Sequence, residues 1–114
     1  MEIKTEDYRI WYEPDISTIF LQGFLRLDGM EAYKPVMDLA INALERSPLH
    51  LTLNLRELEF LNSSGISMLS MFVVKVRQKG DVEMTLEGSD KILWQTKSLK
   101  NLQRLMPSLT LILS

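Results

Sequence analysis

From Leu49 onward, leucines at positions 49, 51, 53 and 55 alternate strictly with His50, Thr52, Asn54 and Arg56. That two-residue period predicts a strand with one apolar face, opened by Pro48. Val82, Met84 and Leu86 alternate with Glu83, Thr85 and Glu87 in the same way. Tyr8 to Tyr12 reads as a first strand. After the turn Glu13-Pro14-Asp15, the segment from Ile16 to Leu27 reads as a second, longer one, with Ile19, Leu21, Leu25 and Leu27 on one parity around Gly23. Leu109 to Leu113 forms the last strand after Pro107. Helical spacing takes over between these pieces. Val36, Leu39, Ala40, Ala43 and Leu44 recur on one face, with Pro35 in the first turn, where its missing N–H costs little. A second helix starts at Ser63-Ser64 and runs to about Lys79, ended by Gly80. Ile92, Leu99, Leu102 and Leu105 outline a third from about Asp90 to Met106, and the spacing allows a break near Lys97-Ser98.

The order β-β-α-β-α-β-α-β predicts an α/β fold with a mainly parallel five-stranded sheet, because parallel neighbours need crossover connections. The first two strands, separated by a short turn, are expected to pair antiparallel at the edge. Strands three and four each have one polar parity, whereas strands covered on both faces are apolar throughout, so the helices are expected mostly on one face.

Composition narrows the function classes. The chain has 114 residues, 46% of them hydrophobic and 25% charged, which fits one globular domain spanning 1–114. Thirteen Lys plus Arg against fifteen Asp plus Glu give a net charge of −2. On that average there is no basic surplus for nucleic acid or an anionic membrane. With no cysteine, thiol nucleophiles, disulfides and zinc–thiolate sites are excluded, and a cytoplasmic location is the default. The N-terminus mixes charges of both signs and lacks an export signal. Apolar runs fall far short of the roughly 20 residues that span a bilayer. His50, the single histidine, sits on the polar parity of its strand and reads as solvated rather than as a metal ligand. Asp81, Glu83, Glu87 and Asp90 read as an exposed acidic face rather than a catalytic pair. No phosphate-binding glycine loop occurs, and Trp11 and Trp94 read as packing residues.

The segment Phe60-Leu61-Asn62-Ser63-Ser64-Gly65-Ile66 joins strand three to helix two. Two readings of its hydroxyls stand side by side. A serine oxygen can cap free first-turn N–H groups. Alternatively one serine accepts a phosphoryl group, with Gly65 leaving the hydroxyl open and the helix N-terminus tolerating the dianion.

Together with the apolar strand before it, this segment resembles the D-S-S-G-[LIV] signature of STAS domains, the anti-sigma factor antagonist family. Gly23-Phe24-Leu25 is similar to the family's G-x-L element, and Leu86-Glu87-Gly88 is similar to the end of its fourth strand. The element order agrees over nearly the whole chain. The resemblance implies a STAS-type fold and a cytoplasmic regulator of transcription without catalysis or cofactor of its own, working by partner switching. It would bind an anti-sigma factor with serine kinase activity and be released when that kinase phosphorylates the second serine, here Ser64. A PP2C-type phosphatase would reset the cycle. Asn62, Ser63 and Gly65 would support the phosphorylation motif, with Ser63 as the cap. The alternative implied is a STAS subunit that is never phosphorylated and serves a transporter or signalling assembly. The chain departs from the family at Asn62, where Asp is usual, and at Arg26, where Asp usually follows G-x-L, with Asp28 two residues on. It also ends at Ser114, directly after strand five, where many relatives continue into a last helix.

Helix two is apolar over more than the roughly 100° that sheet packing requires. Ile66, Leu69, Val73 and Val76 form the expected sheet-facing stripe, and Met71 lies almost opposite, flanked by Met68 and Val74. Either the neighbouring helices bury Met68 and Val74, or the surface from Ser64 along Met68, Met71 and Lys75 binds the partner, where flexible methionines suit an adaptable contact.

Overall fold

The computed structural model describes residues 1–46 and 49–114. Its strands are β1 (Glu2–Lys4), β2 (Tyr8–Glu13), β3 (Thr18–Leu25), β4 (His50–Asn54), β5 (Leu58–Leu61), β6 (Glu83–Gly88) and β7 (Thr110–Leu113). The helices are a short α1 (Gly29–Ala32), α2 (Lys34–Arg46), α3 (Ser63–Lys79) and α4 (Leu93–Leu105). The sheet is mixed, in the order β1-β2-β3-β4-β6-β7, with β5 also pairing with β3. The β1–β2 and β2–β3 pairs are antiparallel, and every later pairing is parallel.

Alternation does what it predicts. Leu51, Leu53, Met84 and Leu86 are fully buried with Ile10, Ile19 and Leu21, and they join Val36, Ala40, Leu69, Phe72 and Val76 in one core beneath the helices. The other face is open, and the register lays Glu2, Trp11, Phe20, Asn54, Glu87 and Ile112 across it in one row. Trp11 stacks on Phe20 at 4.7 Å, with the Arg9 guanidinium 3.9 Å from its ring. No helix among the described residues is long and apolar enough to cross a membrane.

Several boundaries depart from the periodic reading, among them the end of β3 at Leu25 rather than Leu27 and the short α1, which the predicted order does not contain. Pro14–Ile16 forms a 3-10 turn, closed by Ser17 at φ 46°, so β3 starts at Thr18 rather than Ile16. The sheet has seven strands rather than five. One addition is β1, whose three residues carry too little pattern to read. The other comes from the lane beside β3, which is split: β4 pairs with Thr18–Phe20, the chain turns through residues 55–57, and β5 pairs with Gly23–Leu25. Gly23 makes the change of partner possible. At φ 95° its position suits no side chain, and an added Cβ would press on the Asp7 carbonyl and lie 2.9 Å from Tyr8 Cα. Finally, α4 begins at Leu93 and continues unbroken past Lys97-Ser98. The expected opening of strand three at Pro48 lies outside the described residues.

Splitting a strand inside a protein frees backbone groups that must find other partners. Gln95, on the first turn of α4 and fully buried, supplies them. Its Nε2 donates to the carbonyls of Leu55 (2.6 Å) and Leu58 (3.0 Å), and its Oε1 accepts from the Ser89 N–H (2.8 Å). Trp94 Nε1 also donates to Leu58 O (3.1 Å). Gly88 lets α4 come this close, since a Cβ there would lie 2.7 Å from Gln95 Oε1. Replacing Gln95 with the similarly sized Met would leave Ser89 N unpartnered, while the Leu55 and Leu58 carbonyls would keep the Leu58 N–H and Trp94 Nε1 as their remaining donors. Urea denaturation should show a loss of about 2 kcal/mol, the scale of one stranded buried N–H and two weakened carbonyl contacts, and a loss below about 1 kcal/mol would mean that water replaces the amide.

Candidate functional site

The carboxyl ends of β3 and β5 converge on the start of α3, and Asn62 sits at the junction. It has the extended backbone of a helix N-cap, and its Oδ1 accepts from the Gly65 N–H at 3.0 Å. The same oxygen accepts from Tyr33 Oη at 2.7 Å, while Nδ2 donates to the Leu27 carbonyl at 2.8 Å. One side chain thus ties the first turn of α3 to the loop after β3 and to the residue that leads into α2. Tyr33 is fully buried, and burial pushes its phenol above the ordinary tyrosine value, so it remains a donor at neutral pH.

Two sequence expectations are corrected here. The cap is Asn62, not Ser63: Ser63 is exposed, the first residue of the helix proper, and its hydroxyl has no hydrogen bond among the described residues. An amide reaches three groups at once, which a serine hydroxyl is too short to do. Gly65 does not serve mainly to open the serine hydroxyl. It is buried, and an added Cβ would collide with Leu61 and lie 2.7 Å from Tyr33 Oη. Its small size lets α3 sit down on the tyrosine.

Ser64 follows on the first turn of α3, half-buried, and its hydroxyl too is without a hydrogen bond among the described residues. The outward stripe of the helix continues through Ser67, Met71 and Lys75, all exposed, with Met71 at 48%. Met68 does not belong to it. Only 1% exposed, Met68 packs into the core with Phe72, while Ile66 is half-buried at the stripe's border. Met68 faces the sheet among Ile10, Ile19, Leu21 and Leu53, and Val74 is half-buried beside Leu105 of α4. That leaves a shallow groove of about 340 Å³ between α3 and α4, lined by Met71, Val74, Lys75 and Leu105.

On the open side of the same junction, Phe24 and Phe60 are paired neighbours, 45% and 40% exposed. The Arg26 guanidinium lies 5.8 Å and 5.7 Å from their ring centres. Sequence reading missed this cluster, as it missed Tyr33 and Gln95. Phe24 and Arg26 share one parity of their strand, but the bulge that sets Phe60 beside Phe24 leaves no local signal in the sequence. His50 lies at the far end of the sheet, its Nε2 3.2 Å from Thr52 Oγ1 and 3.3 Å from Thr85 Oγ1. No group of three potential metal ligands occurs among the described residues. Glu87 is engaged by Asn54 at 3.2 Å and by Arg56 at 3.9 Å, whereas Glu83 is exposed.

No protein-family model matches the chain, and no curated protein matches it. Among solved structures it is similar to apo-SiaC from Pseudomonas aeruginosa, with a TM-score of 0.73 and 15% identity, over 100% of this chain and 98% of that one. It is also similar to a chain in the crystal structure of diguanylate cyclase SiaD in complex with its activator SiaC from Pseudomonas aeruginosa, with a TM-score of 0.72 and 17% identity, over 99% and 97% of the two chains. The likeness establishes the fold, the STAS-type α/β arrangement with a mixed sheet and helices on one face.

Exchanging the roles of Asn62 and Ser63 has a measurable consequence. Asn62→Ala removes a cap and two tertiary hydrogen bonds and should cost about 2–3 kcal/mol in chemical denaturation. Ser63→Ala should stay within about 0.5 kcal/mol of the parent. Equal losses in the two variants would return the cap to the serine.

Proposed function

We propose that the protein is a non-catalytic partner-switching regulator whose contact surface is the outer stripe of α3, from Ser64 through Met71 to Lys75, and whose switch is phosphorylation of Ser64. The observation that carries this reading is the division of labour at the start of α3. Asn62 performs the capping expected of Ser63, and the Ser64 hydroxyl, half-buried on the same turn, has no hydrogen bond among the described residues and so no structural task. Phosphate there would add roughly −1.5 to −2 charge at the end of a helix, where the dipole favours an anion. The fold would survive the modification, while a partner lying across the same turn would have to desolvate the new charge. The family resemblance names the partner class as an anti-sigma factor with serine kinase activity, with a PP2C-type phosphatase as the resetting enzyme. Asn62 and Gly65 then serve the site by holding the serine-bearing turn in place.

A second reading rests on the shared fold. SiaC is the activator of a diguanylate cyclase, so a regulated enzyme, rather than an anti-sigma factor, is the other partner for the same surface. In either case the protein acts by occupying another protein, and no cofactor is required.

Phosphosite mapping by mass spectrometry on the protein purified from its own cells should place phosphate on Ser64 and not on Ser63. Quantitative capture should then retain the partner with wild type and Ser64→Ala and lose it at least tenfold with Ser64→Asp and with Met71→Lys. Met71 is exposed, so its substitution should leave stability within about 0.5 kcal/mol. Partner binding unchanged in Ser64→Asp and Met71→Lys would remove this face from the interface, and its identity as a kinase or a cyclase separates the two readings.

A further inference from the structure

β7 closes one edge of the sheet. It pairs with β6 alone, from Thr85↔Thr110 to Gly88↔Leu113, so its outer backbone groups have no strand partner. Natural sheet edges are guarded by charge, proline or bulges. The opposite edge follows that rule, since β1 carries Glu2 and Lys4, with Glu2 paired to Arg9. By contrast, β7 reads Thr-Leu-Ile-Leu and carries no charge, and Ile112 is 41% exposed on the open face. On the helix side, half-buried Leu111 and Leu113 floor a groove of about 750 Å³ walled by Lys100, Gln103 and Arg104 of α4. Both cations are exposed and form no ion pair among the described residues. No acidic residue lies on α4 at all.

We propose that the groove between α4 and β7 docks an extended acidic segment of a partner protein, which adds a strand to the β7 edge. Strand geometry sets the chemistry of that segment, because alternate side chains point to opposite faces. Those facing α4 are Glu or Asp, their methylenes over Leu111 and Leu113 and their carboxylates against Lys100 and Arg104. Those facing the open side are apolar and cover Ile112. A second copy of this chain is the poorer occupant. Pairing β7 with β7 across a two-fold axis sets one cationic α4 wall toward the other, a like-charge approach that disfavours the contact. Nucleic acid is poorer still, since its bases and phosphates gain nothing from an apolar floor and a row of strand hydrogen-bonding groups. The surface is separate from the Ser64 stripe and does not depend on phosphorylation there.

The test is selection from a displayed library of random 12-residue peptides on the intact protein, followed by hydrogen–deuterium exchange with the enriched peptides bound. Acidic and apolar residues should alternate in the enriched sequences, and the amides of Thr110–Leu113 should gain protection. Lys100→Glu combined with Arg104→Glu should weaken binding at least tenfold without shifting the thermal transition, because both side chains are exposed. Several results would overturn the assignment: no enrichment, sequences without acids, protection confined to α3, or peptides indifferent to the double variant. So would sedimentation showing a dimer whose β7 is protected without peptide, or duplex DNA that binds the groove in a Lys100- and Arg104-dependent way while no peptide does.

Discussion

The amide of Asn62 is the point on which the geometry of the candidate site depends. Two donors, Tyr33 Oη and the Gly65 N–H, meet its oxygen, and its nitrogen holds the Leu27 carbonyl. A carboxylate could accept both donors but would face the Leu27 carbonyl with no proton to give. The loop after β3 therefore selects asparagine where the resembled family has aspartate. The exchange also changes the electrostatics of the turn. A charged cap would compensate the positive end of the helix, whereas a neutral amide leaves that end uncompensated.

A second polar node does for α4 what Asn62 does for α3. Gln95 spans the interruption between β4 and β5 and the loop after β6, using donor and acceptor alike. Both nodes lie at the carboxyl ends of parallel strands, the end where open α/β sheets meet their ligands and partners. In a low-dielectric interior a fully satisfied network fixes orientation more sharply than apolar contact does. The two loops and two helix starts are thereby held as a rigid platform, and the described residues contain no buried side-chain polar atom without a partner. Glycines 65 and 88 belong to the same design, since each removes the Cβ that would hold a helix away from its node.

Wherever one apolar parity had to face a core, the fold was legible in the sequence. The leucine alternation before Arg56, the valine-methionine-leucine alternation in β6 and the spacing of α2 each specify a face, and each is buried as read except at Leu49, which precedes β4 and is 74% exposed. The serine pair marked the start of α3 correctly. Features set by long-range hydrogen bonding were not legible. Nothing local to Asn62 says that Tyr33, 29 residues earlier, will reach it, and nothing local to Gln95 distinguishes a buried amide from a surface one. Met68 misled for a different reason: the sheet-facing stripe was centred on Ile66, whereas the buried face of Gly65, Met68, Leu69, Phe72, Val73 and Val76 is rotated toward Phe72, which puts Met68 in the core and Ile66 at its border.

Charge shows the same gap between average and arrangement. The chain carries a net charge of −2, which speaks against polyanionic partners when taken as a whole. Yet α3 and α4 together hold six of the thirteen cations, Lys75, Arg77, Lys79, Lys97, Lys100 and Arg104, and none of the fifteen acids. The acids are left to the strands, the loops, α1 and α2. A molecule so divided has a direction in an electric field even though its total charge is small. An acidic protein surface approaching it is turned toward the two helices before contact, while an extended polyanion is repelled by the rest of the surface. Segregation of charge, rather than its sum, therefore sets the electrostatic character of the layer that carries both the serine-bearing stripe of α3 and the cationic wall of α4.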